Sequence, residues 1–241
     1  MIETLAQAGL NRLDLAAAVL FMAAWVIYHG LIEGNTLGPR SLNARMNVYR
    51  HVWMNEMLRR DNRMIDVQVM AALHQGSAFF ASTSLIAVGG SLSLLRAGSD
   101  LSAVLALLPF GASPSTTAWE IKIIGLANIF VYAFFKFAWA YRLFNYAAIL
   151  LGATPAADRI DEAAHRQAKR AGDMTVVAGR HFNRGQRAFF FALAYLGWFL
   201  GPILFMLTTV AALIVIARRQ FGSDALTSIL DGLEGSDQAR P

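Results

Sequence analysis

Apolar residues dominate four long blocks of this chain, at 13–31, 69–95, 121–141 and 188–216, with polar and basic stretches between them. Each block supplies the ~20 residues that a helix needs to cross ~30 Å of hydrocarbon. Asp14 stands at the start of the first as a first-turn acid, and apolar character runs past the third as far as Gly152. The pattern predicts an all-α polytopic membrane protein. It would be a four-transmembrane-helix bundle with amphipathic cytoplasmic helices, a single membrane domain over 1–220 and a loosely ordered tail over 221–241.

The connections carry patterns of their own. Residues 43–66 read as one amphipathic helix running into the second span, with Val48, Val52, Met57, Leu58, Met64 and Ile65 apolar and arginines between them. Thr154 and Pro155 look like a cap and a first helical position. Asp158, Asp161 and Glu162 then precede Arg166, Lys169 and Arg170, which suits the helix dipole, and Gly172 is expected to end that helix. With little apolar face, it reads as solvated. The stretch 101–110 is too short to span and is expected to be interfacial or re-entrant.

Basic residues give the orientation. Arg40, Arg45, Arg50, Arg59, Arg60 and Arg63 lie in the connection 32–68. Arg142, Arg159, Arg166, Lys169, Arg170, Arg180, Arg184 and Arg187 lie in the connection 142–187. The positive-inside rule makes both cytoplasmic and both termini extracytoplasmic, with Arg218 and Arg219 the discordant pair. Arg59, Arg60, Arg63, Arg142, Arg184 and Arg187 are expected at the membrane surface. The expected compartment is a bacterial cytoplasmic (inner) membrane.

Composition agrees. Charged residues make up 15% of the chain, against about 25% in soluble domains. The net charge of +5 flanks the spans and forms no tail, so a nucleic-acid partner is not expected. Cysteine is absent, which excludes disulfides, thiolate catalysis and iron–sulfur ligation. Residues 1–4 lack the basic start of a signal peptide, so the first span is expected to be retained.

Candidate chemistry centres on one helical stripe of the third span: Lys122, Gly125, Asn128, Tyr132, Lys136 and Trp139, spaced 3, 3, 4, 4 and 3. A lysine at membrane depth is a functional candidate. Lys136, Lys122, Asn128 and Tyr132, with His74 across from them, are the expected lining of a cavity or pore. The competing reading lets both lysines snorkel to the interfaces. Ser77, Ala81 and Ser84 form a small-residue face suited to close helix packing. Gly197 and Gly201 form a G-x-x-x-G before Pro202, which suggests a close contact with a kink below it. Phosphate-loop, dinucleotide, zincin and nucleophile-elbow motifs are absent. His29 with Glu33, and His51 with Glu56, could share a metal, but simple polar span ends explain them, and no metal or cofactor is expected.

Three runs resemble a family of bacterial and plant membrane proteins known as domain of unknown function 599. They are the aromatic run 134–139 with Arg142, Asn145 and Tyr146; the run 187–194 with Trp198 and Pro202; and Arg50, Trp53, Met54 and Asp66. The resemblance covers about 14–216 and implies a four-span membrane protein without assigning an activity. The expected function is therefore non-enzymatic: a homo-oligomer forming a conduction path or binding cavity for a small or anionic species, in contact with membrane lipid. The alternative is a structural or accessory protein that binds another membrane protein or anionic lipid through its arginine-rich faces.

Overall fold

The computed structural model of the protein describes residues 9–33, 38–96 and 115–229. Among them every regular element is helical: α1 (Arg12–Glu33), α2 (Leu42–Leu58), α3 (Met64–Ser93), α4 (Thr116–Gly152), α5 (Glu162–Leu200) and α6 (Pro202–Phe221), with 3-10 turns at Gly38–Arg40 and Ala157–Arg159.

Local chemistry fixes the starts. At α1, Asp14 N–H donates to Asn11 Oδ1 (2.7 Å) and Asn11 N–H donates to Asp14 Oδ2 (3.1 Å), a reciprocal cap. Ser41 caps α2 by accepting from Ala44 N–H. Ser115 does the same for α4 through Ala118 N–H. Asp161 caps α5 through Ala164 N–H at 2.8 Å.

Several boundaries differ from expectation. The stretch 43–66 is not one helix: α2 stops at Leu58 and α3 restarts at Met64. Thr154 closes α4, its Oγ1 donating to the Leu150 carbonyl, while Asp161 opens the next helix. Gly172 ends nothing, because α5 runs for 39 residues through it. Nor is this stretch a solvated helix: Ala164, Ala168, Ala171 and Ala178 are all buried. The block 188–216 is not one span. Gly201 adopts φ +143 between α5 and α6, a left-handed-region backbone that only glycine takes without strain. The expected kink is thus a turn, and α5 and α6 form a helical hairpin. The stretch 101–110 and residues 230–241 lie outside the described residues.

Among the described residues, three helical stretches are long and apolar enough to cross a membrane: Arg12–Leu31, Thr116–Gly152 and Pro202–Ile229. The expected span 69–95 falls largely within α3, which is not among the three. Its glycines and hydroxyl residues dilute its apolar character. At 1.5 Å per residue, the 37 residues of α4 extend ~55 Å.

The chain divides into two compact units. The first comprises Met1–Gly38, Ser84–Tyr132 and Arg187–Arg219; the second comprises Pro39–Thr83, Ala133–Gln186 and Gln220–Pro241. The core of the second packs Met54, Met57, Leu58 and Met70 with Phe144, Ala147 and the alanines of α5. Two glycines of α5 give room to α2: a Cβ on Gly172 would meet the His51 ring, and one on Gly179 would meet the Arg50 guanidinium. Burial pushes the Arg50 guanidinium below its usual pKa, and Asn47 Oδ1 accepts from it at 2.6 Å.

Candidate functional site

The first unit is organised around a buried ion pair. Lys122 of α4 lies with its Nζ 3.7 Å from Asp14 Oδ1 of α1, and both side chains are over nine-tenths buried. The same Nζ donates to the Trp198 carbonyl at 2.9 Å. That carbonyl belongs to the last turn of α5, where carbonyls lack helical partners and a cation complements the dipole. Trp198 returns the contact: its indole Nε1–H donates to Asp14 Oδ1 at 2.7 Å. The ammonium also lies 5.3 Å from the centroid of the Trp198 ring. Lys122 is therefore no snorkelling group at a pore mouth. It joins the start of α1, the body of α4 and the end of α5.

Beside this pair lies a cavity of about 420 Å³. Phe21 and Trp25 of α1, Tyr195 and Trp198 of α5 and Phe205 of α6 supply its aromatic walls; Gly125, Asn128 and Tyr132 of α4 supply the remainder of one side. The walls brace one another. Trp25 stacks on Phe191 at 4.7 Å, and Tyr132 meets Trp25 edge-on at 5.7 Å. Trp198 stacks on Phe205 at 5.0 Å, and Phe21 packs against Tyr195 and Phe205. Gly125 is required where it stands, because a Cβ would overlap the Tyr195 hydroxyl. The turn at Gly201 brings Phe205 back to this wall. The hairpin is closed by Thr208, whose Oγ1 donates to the Ala194 carbonyl at 2.7 Å, and Gly197 gives it space.

Of the expected lining, Asn128 and Tyr132 do share this cavity, with Gly125 of the same stripe. Lys122 lies against the shared Trp198, its charge already matched. Lys136 and His74 belong to the second unit and do not line the cavity. Lys136 is half-buried with interactions of its own, and the His74 ring stacks on Tyr141 at 3.8 Å. Of the packing residues, Ser77 and Ser84 are fully buried, Ala81 is half-buried, and Gly197 touches Thr208. Gly201 is half-buried and serves the turn, with open space where a Cβ would point.

The second unit has its own aspartate clasp. Asp66, in the first turn of α3 and fully buried, accepts from Trp53 Nε1 at 2.7 Å and from Arg60 Nη1. Arg63 donates to the carbonyls of Thr154 (2.8 Å) and Pro155. Arg60 and Arg63 are thus structural ties more than membrane-surface charges. Arg59 is exposed and pairs with Glu56. Arg142 donates to the Tyr146 hydroxyl at 2.6 Å. Arg184 and Arg187 are half-buried and engaged. His51 faces Asp173 at 3.6 Å, not Glu56, and the side chain of Glu33 is not described. Among the described residues no three His, Cys, Asp or Glu side chains come together as metal ligands.

The two Trp–Asp clasps follow one design: a first-turn aspartate, an indole donor and a basic side chain. Sequence spacing gives little sign of the first, since Asp14 and Trp198 are 184 residues apart.

These features define a protein that is all-helical among the described residues, with three helices there long and apolar enough to cross a membrane, and with an aromatic cavity set beside a buried ion pair. The chain belongs to the family described as Protein of unknown function, DUF599, whose family model matches residues 16–225. No curated protein and no solved structure matches it.

Proposed function

We propose that this is an integral membrane protein whose five long helices, α1 and α3 to α6, each cross the bilayer, and that its aromatic cavity binds a neutral, ring-bearing amphiphile taken from the lipid. The role is binding, not catalysis.

Outward apolar surface supports insertion. Val19, Met22, Val26 and Ile27 of α1 and Ile203, Leu207 and Ile214 of α6 are all more than half exposed. Each such side chain left in water forgoes ~1.5–3 kcal/mol of burial, and hydrocarbon removes that penalty. The hairpin at Gly201 adds a crossing to the four expected from sequence. It would also bring Arg218 and Arg219, in the last turn of α6, to the side of the other arginine-rich connections. The discordant pair then obeys the rule, and the chain would end in the cytoplasm.

The cavity carries the binding reading. Its walls are indole, phenol and phenyl faces, which favour a flat ring by offset or edge contact. Asn128 offers a donor and an acceptor on the same side. The nearby cation is matched by Asp14, which favours a neutral ligand over an anion. A conduction path keyed to Lys136 finds less support, because that residue does not line the cavity. The arginine-rich accessory reading is weakened by the internal ties of Arg60 and Arg63.

Trp25 and Trp198 make the cavity directly testable. In nanodiscs, decylbenzoquinone should quench their fluorescence with a saturable component above the linear background. Ala18 also lines the cavity, so Ala18→Phe should fill it and abolish that component, and Asn128→Leu should weaken it. Linear quenching alone, identical in protein and filled variant, would refute the binding site.

A further inference from the structure

We infer that the ligand of the aromatic cavity carries a carbonyl oxygen on its ring, and that the Tyr195 hydroxyl and the Asn128 carboxamide select it. The inference rests on the binding reading of the cavity given above and names the chemistry that the site recognises. Among the lining side chains, Trp25, Asn128, Tyr132, Tyr195 and Trp198 bear N–H or O–H groups. The Trp198 indole N–H is committed to Asp14, and Tyr132 has interactions of its own. The side chains of Trp25, Asn128 and Tyr195 make no hydrogen bond to any described residue. The unmatched groups are chiefly donors: the Tyr195 O–H, the Trp25 N–H and both N–H bonds of the Asn128 carboxamide. Orphaned donors are tolerated less well than under-used carbonyl oxygens, so the cavity calls for an acceptor.

Gly125 brings two of these groups together. Its missing Cβ lets Tyr195 of α5 lay its hydroxyl against α4, and Asn128 follows three residues later on the same face of that helix. Tyr195 is only 5% exposed, yet its oxygen is not sealed in, and it opens on the cavity that the residue lines. A hydroxyl held among Phe21, Trp198 and Phe205 without a partner forgoes the hydrogen bond that water would give it. Phenylalanine would pack on the same rings without that cost. The hydroxyl therefore works against packing, and a ligand that accepts from it accounts for its presence. A carbonyl oxygen has two lone pairs and no proton, so one such atom can accept from the hydroxyl and the carboxamide together. A quinone-type ring supplies that oxygen and a flat face for the aromatic walls.

Quenching by decylbenzoquinone in nanodiscs reads the claim, with the thermal melt of the ligand-free protein beside it. Tyr195→Phe should leave the melt unchanged or raise it, and should weaken the saturable component about three- to tenfold, the worth of one hydrogen bond. Decylbenzene, which has no ring oxygen, should displace the quinone from the unsubstituted protein only at about tenfold higher concentration or more. In the Tyr195→Phe, Asn128→Leu double variant that gap should shrink to about threefold or less. Equal quinone affinity in the unsubstituted protein and in Tyr195→Phe overturns the role of the hydroxyl and leaves the binding site standing. A lowered melt for ligand-free Tyr195→Phe overturns it too, because the hydroxyl would then have a partner already. Binding of 4-decylphenol as tight as that of the quinone overturns the choice of a carbonyl. A purely linear response in the unsubstituted protein overturns the binding reading and this inference with it.

Discussion

Lys122→Met removes a charge from the buried pair and leaves a side chain of nearly the same length. The ammonium–carboxylate separation of 3.7 Å corresponds to about 4.5 kcal/mol of attraction at an effective dielectric constant of 20. Substitution also frees the Trp198 carbonyl, a charge-assisted hydrogen bond of about 1.5–3 kcal/mol. Against these stands the relief from desolvating an ammonium, several kcal/mol. The balance is a loss of about 3–5 kcal/mol, chiefly because Asp14 is left buried and charged with only Trp198 Nε1–H and Asn11 N–H as donors. Asp14→Asn should cost about 2–4 kcal/mol, since Asn still accepts the indole proton. The double variant should cost less than the sum by about 2–3 kcal/mol, because neither charge is then stranded. Unfolding equilibria of the four purified proteins in mixed detergent micelles, titrated with a denaturing detergent, measure the cycle. Additivity within ~0.5 kcal/mol would refute the pair as the joint of the first unit.

Other substitutions probe the walls and the second unit. Gly125→Ala should destabilise by about 1–3 kcal/mol by displacing the Tyr195 hydroxyl, and Tyr195→Phe should restore most of the loss in a thermal melt. Gly185→Ala should cost about the same, because its Cβ would lie 2.7 Å from Phe137, whose ring is fully buried against Phe80 and Phe182. Trp53→Phe should cost about 1–2 kcal/mol by removing one of the two donors to Asp66, and Asp66→Ala more. Equal losses from Trp53→Phe and from an exposed control such as Val52→Ala would contradict the clasp.

Much of the helical layout is legible in the hydropathy pattern, and the reasons for the misses are physical. The first and third blocks mark α1 and α4 because long apolar runs with few breakers admit little else. The turn at Gly201 had a signal in the adjacent Gly201 and Pro202, a breaker pair. Inside a 29-residue apolar block it reads as a kink, and only the backbone φ separates a kinked span from a hairpin. The alanine seam of α5 is invisible to hydropathy, because alanine is weakly apolar and its neighbours are Arg, Lys and Gln. Its burial depends on α2 approaching it, which Gly172 and Gly179 permit. The stripe of α4 was legible as a face, and its middle does line the cavity. What Lys122 touches was not, since Asp14 and Trp198 reach it from the distant ends of α1 and α5.

The crossing count tests the account at its base. Arg12→Cys and Asp224→Cys, made singly in this cysteine-free chain, can be labelled with a membrane-impermeant maleimide in right-side-out and inverted vesicles. Five crossings predict opposite sides: Arg12→Cys reactive only from outside, Asp224→Cys only from the cytoplasmic face. Labelling of both from the same side would contradict the hairpin as a pair of crossings and return the chain to an even number of spans.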